Sequence, residues 1–299
     1  MEYSFPRYLL AKQTVDDRAL NRHVLNTLKE NLPEPPIRII EVGAGMGNML
    51  ARLLSWKMIT QADYVHEDAL EENIEYAAKW IPRWAVEAGM QAQSFGEDRL
   101  RVFSDEQDVR VTLEPANLMD FIQTHPQPAD LLIAHAFLDL LPMPESMSKL
   151  LSLTKNLAWL TINFDGLTSF EPTIDSKLDA TIEQLYHATM DTRPTGGDSR
   201  IGRHLFGYLR AAGAQVLAAG ASDWVVYPES AGNLQHAGRY PADEAYFLYF
   251  ILHFFEESLT GRPELDADAF ALWLKERRAQ VERGELVYIA HQMDFLVRV

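Results

Sequence analysis

The 299-residue chain contains no cysteine. Disulfides, thiolate metal sites and cysteine nucleophiles are therefore excluded, and the absence fits a reducing compartment. Basic tracts are missing as well: 27 Lys and Arg face 43 Asp and Glu, a formal net charge of −16. A polyanion would meet net repulsion, so nucleic acid is not the expected partner and a small molecule is. The most apolar window, Ala245 to Phe255, is too short to span a bilayer and is bounded by Glu244, Glu256 and Glu257. The opening Met-Glu-Tyr-Ser-Phe-Pro-Arg lacks the basic segment and apolar core of a secretory signal, so a cytoplasmic protein with no membrane partner is expected. No Gly-x-Ser-x-Gly elbow and no His-Glu-x-x-His pair occurs, which removes the commonest hydrolase chemistries. His204, His236, His253 and His291 show no metal-ligand spacing, and no metal is expected.

What is present alternates between strand and helix patterns. Residues 14–30 read as an amphipathic helix, with Leu20, Val24, Leu25 and Leu28 at helical spacing and a capping-box start at Thr14 and Asp17. Pro33, Pro35 and Pro36 stop it and lead into a strand at 37–42. Helix 46–56, strand 62–66 and helix 70–88 follow. The polar segment 94–108 reads as a loop, with a short strand at Arg99–Phe103. Strand 109–113, helix 117–124, strand 130–135, helix 145–155 and strand 157–164 complete the first half. This alternation argues for right-handed crossovers and a mainly parallel sheet. Beyond it come helices near 175–190 and 199–212, strands at 215–219 and 224–227, two helices at about 242–259 and 266–283, and a last strand from Leu286 to Val297.

Residues 37–47, Ile-Arg-Ile-Ile-Glu-Val-Gly-Ala-Gly-Met-Gly, carry the most chemistry. A strand ending in an acid feeds a helix through closely spaced glycines, which lets backbone approach a nucleotide-like ligand. A dinucleotide fingerprint starting at Gly43 needs glycine where Asn48 stands. A phosphate loop needs glycine and lysine where Asn48 and Met49 stand. Neither condition is met. The pattern E-x-G-x-G-x-G resembles that of class I S-adenosylmethionine-dependent methyltransferases, whose cofactor has a cationic methionyl tail and no phosphates.

The resemblance implies a seven-stranded, mostly parallel Rossmann-like methyltransferase sheet with helices on both faces and an antiparallel last strand. Residues 1–36 would form an N-terminal helical cap, and 37–299 the catalytic domain, with a helical insertion at about 228–284. It implies that Glu41 meets the cofactor ammonium and that Gly43, Ala44, Gly45 and Gly47 shape the bend. Glu75-Tyr76-Ala77 places Asp68 in the register of the ribose-binding acid, with Glu67 pointing to the other side of the strand end. Ala69 would face the adenine. Asn117 stands where the family has an acid and would accept from the adenine amine, with Leu118 donating its backbone N–H. Equally, Asn117 could cap the following helix. Ala134 and His135, closing the fourth strand, and Phe137 after it would border cofactor and substrate. His135 could serve as a general base or as a packing residue. Lys12 and Arg18 could meet the cofactor carboxylate or an acidic substrate, or form surface ion pairs.

The apolar helix from Tyr246 to Phe255 calls for burial on more than one side: a pocket roof, a homodimer contact or plain core. The expected activity is methyl transfer from S-adenosylmethionine to O, N or C of a small, partly apolar acceptor. Two alternatives stand beside it: an NAD(P)-dependent oxidoreductase and a non-catalytic S-adenosylmethionine-binding protein.

Overall fold

The computed structural model describes residues 3–124, 127–194, 196–229 and 239–299. The elements in chain order begin with α1 (Phe5–Ala11), α2 (Gln13–Ala19), α3 (Arg22–Asn31), β1 (Ile37–Val42), α4 (Asn48–Ser55), β2 (Gln61–Asp68) and α5 (Glu71–Glu87). Then come β3 (Gln91–Ser94), β4 (Arg99–Phe103), β5 (Asp108–Pro115), α6 (Leu118–Thr124), β6 (Ala129–His135), α7 (Glu145–Leu151) and β7 (Thr154–Glu171). The chain closes with α8 (Ser176–Asp191), α9 (Ile201–Ala211), β8 (Gln215–Ala221), β9 (Trp224–Val226), α10 (Glu244–Leu259), α11 (Ala267–Glu282) and β10 (Val287–Arg298).

The single helix expected over 14–30 is broken. Asn21 takes an extended conformation and its side chain accepts from Val24 N, so a new helix, α3, starts there. Thr14 caps nothing; its hydroxyl donates to Glu244 on α10.

Among the described residues the sheet has ten strands and not seven, in the order β3-β4-β5-β2-β1-β6-β7-β10-β8, with β9 paired to β10. Strands β5, β2, β1, β6 and β7 are mutually parallel, and β10 runs antiparallel between β7 and β8. The added strands have simple origins. The short strand expected at Arg99–Phe103 is β4, where Leu100 and Val102 alternate inward and pair antiparallel with Val111 and Val109. The edge strand β3, Gln-Ala-Gln-Ser, has no apolar alternation and is held by backbone pairing to β4. Strand β7 is longer than expected, continuing past Phe164 to Glu171 in register with β10.

Alternation along β1 serves two cores. Ile37 and Ile39 join α3, α4 and α5 through Leu28, Leu50 and Ile81. Ile40 and Val42 join α6, α7 and α9 through Phe121, Leu150 and Leu205. Burial on both faces is what a parallel sheet requires. A third core joins α1, α8, α10 and α11 to the far ends of β7 and β10, through Tyr8, Ile182, Phe255, Trp273, Phe170 and Tyr288. The all-round apolar α10 is buried in this core of its own chain. Each fully covered aromatic or aliphatic side chain there stabilises the fold by about 1.5–3 kcal/mol. Part of the insertion proposed between β9 and β10, residues 230–238, lies outside the described residues, as does His236.

Candidate cofactor crevice and the buried Asp16 network

Strand β1 pairs with β2 on one side and β6 on the other, so the strand order reverses there. In open α/β sheets ligands bind outside the strand C-termini at this point. The bend from β1 to α4 lies there, with φ of +60° at Gly43, +59° at Gly45 and +93° at Gly47. Packing alone accounts for two of these glycines. A Cβ on Gly43 would lie 2.5 Å from the Phe137 ring, and one on Gly47 would lie 2.9 Å from Ile81. Gly45 is less crowded, with Leu9 of α1 at 3.3 Å. Phe137 and Leu9 therefore lie on the bend itself. Asn48 donates its side-chain amide to Leu9 O at 2.8 Å, fastening α1 to the start of α4.

Both acids at the end of β2 turn toward the bend. Asp68 Oδ2 accepts Gly45 N at 2.8 Å, and Glu67 Oε2 accepts Gly43 N at 3.2 Å. The expectation that Glu67 points away is corrected. The strand ends at Asp68, so alternation no longer separates the two side chains, and the bend wraps over both. Asp68 Oδ1 also takes Leu70 N and Asn73 Nδ2. Burial pushes the Glu67 carboxyl up to about 8. Ala69 and Asn117 are exposed beside Asp68, whose carbonyl accepts Ala116 N, while Leu118 is buried. Asn117 Oδ1 accepts Met119 N, a capping contact.

Glu41 is buried and accepts from the Tyr64 hydroxyl, and burial pushes its carboxyl up to about 8. Ala134 is fully covered within β6.

His135 ends β6 with Nε2 2.9 Å from Asp16 Oδ2 and Nδ1 2.8 Å from Thr161 Oγ1. Asp16 also receives Lys12 Nζ at 2.9 Å, Trp224 Nε1 at 2.9 Å and Arg52 Nη2 at 3.4 Å. Arg52, equally buried, reaches Asp17 and Gln13 O. Burial works to raise the Asp16 carboxyl, but Lys12, His135 and Arg52 together hold it well below the usual carboxylate range. Burial pushes His135 down to about 4, with Lys12 and Arg52 adding to it against the pull of Asp16. The imidazole is neutral at pH 7; a proton on Nε2 satisfies the ionised Asp16 and leaves Nδ1 to accept from Thr161. Backbone bends support this pairing: Ala136 and Ile162 hold φ of +53° and +56°, and Ala136 N donates to Thr161 O.

Lys12 and His135 are thus brought together through a carboxylate that sequence inspection passed over. Its available signal was the i,i+4 spacing of Lys12 and Asp16. Arg18 is placed elsewhere, bidentate on the fully buried Glu244 at the start of α10.

No family model matches the chain, and no curated protein matches it. Solved structures align over most of its length at low identity. A SAM-dependent methyltransferase of Thiobacillus denitrificans, solved with S-adenosyl-L-homocysteine, is 12% identical over 99% of both chains with a TM-score of 0.42. The cyclopropane synthase MmaA2 of Mycobacterium tuberculosis is 9% identical over 93% of this chain and 83% of its own, TM-score 0.45. The mycolic acid cyclopropane synthase CmaA1, complexed with S-adenosylhomocysteine and CTAB, is 11% identical over the same shares, TM-score 0.45. These are loose superpositions.

Proposed function

We propose that the chain binds S-adenosylmethionine beside the Gly43–Gly47 bend and transfers its methyl group to O, N or C of a small acceptor. One observation carries this: two carboxylates from the end of β2 sit on the bend's backbone amides where the strand order reverses. Asp68 Oδ2 accepts from Gly45 N and keeps capacity for a ribose hydroxyl. Ala69, Asn117 and Leu118 supply an adjoining edge for a purine. The methionyl end fits only after Phe137 and Leu9 leave Gly43 and Gly45, so α1 acts as a cover that must open. Residues 1–36 serve as a cap in this proposal, and 37–299, with the insertion at about 228–284, as the catalytic domain.

The cofactor supplies a methyl group made electrophilic by its sulfonium. The protein's contribution is positioning and exclusion of water, with proton removal where the acceptor needs it. His135, at the end of β6, is the candidate for that proton, but both ring nitrogens are engaged by Asp16 and Thr161. That engagement favours a second proposal, a cofactor-binding protein in which His135 is structural. An NAD(P)-dependent role has less support. Asn48 stands where a pyrophosphate-binding turn needs glycine, and its side chain ties α1 over the helix start.

Thermal-shift and calorimetric titrations with S-adenosylhomocysteine, NADH and NADPH test the proposal. S-adenosylhomocysteine alone is expected to bind, stabilising the fold by about 2.7 kcal/mol at a hundredfold excess over Kd. Binding of a nicotinamide nucleotide in its place overturns it.

A further inference from the structure

Tyr8 on α1, Tyr186 on α8 and Tyr288 on β10 belong to one aromatic cluster. Tyr8 stacks on Phe250 at 4.6 Å, and Tyr186 stacks on Phe255 at 3.8 Å. Tyr288 lies 5.1 Å from Phe170 and 6.2 Å from Phe247, which itself stacks on Tyr8. Phe170 closes the circuit on Phe255 at 5.2 Å.

Tyr8 is 7% and Tyr288 4% exposed while Tyr186 is partly buried, and none of the three hydroxyls has a hydrogen-bond partner among the described residues. They are also absent from the fully sealed polar atoms that lack partners, so each oxygen keeps some accessible surface. Other aromatic tips in the fold do find protein partners. Tyr64 bonds Glu41, Tyr240 bonds Leu286 O, and Trp273 bonds Asp179. Three hydroxyls of one aromatic cluster thus keep hydrogen-bonding capacity that no described residue takes up.

Their mutual proximity is independently marked by charge. Burial first, then Asp16, Tyr288, Tyr186 and Asp139, raises the Tyr8 phenol well above its ordinary range. Tyr8 O accepts Lys12 N, so the cluster is one turn from the Lys12–Asp16–His135 network. Asp139, shortly after Phe137, faces it from the end of β6, with Arg193 at 3.8 Å.

We infer that the hydroxyls of Tyr8, Tyr186 and Tyr288 line a binding pocket for a small neutral molecule bearing hydroxyl or carbonyl oxygens on an apolar frame. A cation finds no free carboxylate, because Asp139 faces Arg193 and Asp16 already holds Lys12 and Arg52, and Phe250 and Phe255 occupy faces of the Tyr8 and Tyr186 rings. An anion meets Asp139 and Asp16, while Lys12 is committed to Asp16. That this molecule is the methyl acceptor rests on the function proposed above; the pocket itself does not.

Phenol and toluene, nearly the same shape, make the test, with benzylamine and benzoate as charged probes, titrated by calorimetry into the full chain. Phenol is expected to bind about tenfold tighter than toluene, and Tyr8→Phe, Tyr186→Phe and Tyr288→Phe each to weaken phenol about fivefold. None should change toluene or S-adenosylhomocysteine binding, and none should lower Tm, because no protein hydrogen bond is lost. Equal binding of phenol and toluene, indifference of phenol to all three variants, or a lowered Tm in each overturns the pocket. Tighter binding of benzylamine or benzoate overturns the neutral class. Retained phenol discrimination without S-adenosylhomocysteine binding supports the pocket and strikes only the methyl-transfer proposal.

Discussion

Asp16 Oδ2 lies 2.9 Å from His135 Nε2 and 2.9 Å from Lys12 Nζ, so one buried oxygen joins the N-terminal helices to the end of β6. The same carboxylate takes Trp224 Nε1 on its other oxygen, adding β9 to the junction. Removing the charge leaves Lys12 and Arg52 buried without their shared anion. Asp16→Asn is expected to cost about 3–5 kcal/mol in denaturant unfolding. A cost below about 1 kcal/mol would show that the cap docks without this charge.

The two acids on the bend differ in how many protein bonds they hold. Asp68→Ala should weaken S-adenosylhomocysteine binding at least about tenfold, and Glu67→Ala less, as measured by calorimetry. The opposite order would assign the sugar to Glu67.

Gly45 is the glycine of the bend least explained by packing. Gly45→Val places a β-branched residue at φ +59°, costing on the order of 1–3 kcal/mol of stability, and blocks backbone approach. Cofactor binding should disappear while circular dichroism stays native-like. Tight binding by the folded variant removes this bend from the site.

Leu9 covers that same glycine. Leu9→Ala should raise affinity for S-adenosylhomocysteine severalfold, because less cover must be displaced. An unchanged or weaker Kd means that α1 does not stand in the way.

Stability should fall between pH 6.5 and 8. Glu41 and Glu67, raised from 4.5 to about 8 chiefly by burial, are protonated in the fold and ionised when unfolded across that window. The folded state then binds more protons, so stability drops as pH rises, by at most about 1.4 kcal/mol per pH unit for each group. His66 and His135, lowered from 6.5 to about 4, act with the opposite sign, but only below 6.5. Tm recorded at pH 6.5 and 8 should decline, and Glu41→Gln should flatten the decline. A rise in Tm over this interval contradicts the burial argument.

The legible parts of the chain are those in which neighbours in sequence are neighbours in space. Ile37, Ile39, Ile40 and Val42 announce a strand buried on both faces, and the glycines after it announce the bend. Val24, Leu25 and Leu28 announce the helix that became α3. The break at Asn21 was hidden because the apolar period runs straight across it. The β3 strand has no side-chain signature, since an exposed edge needs only backbone partners. The Asp16 network draws on residues 12, 16, 52, 135, 161 and 224, and no local pattern links positions brought together by crossovers. Phe137 against Gly43 is a similar case: the glycine is visible, but not what presses on it.

The length of β7 has a consequence of its own. Its early residues, Leu157 to Ile162, serve the two cores beneath the crevice, while Phe170 belongs to the aromatic core of α8, α10 and α11. Pairing with β10 spans both, through register shifts at Ala290/Gln292 and Met293/Phe295. The module that would choose a small molecule is thus riveted to the module that would hold a nucleoside by sheet backbone, and substitutions beyond Phe164 can remodel selectivity without disturbing the first βα junction.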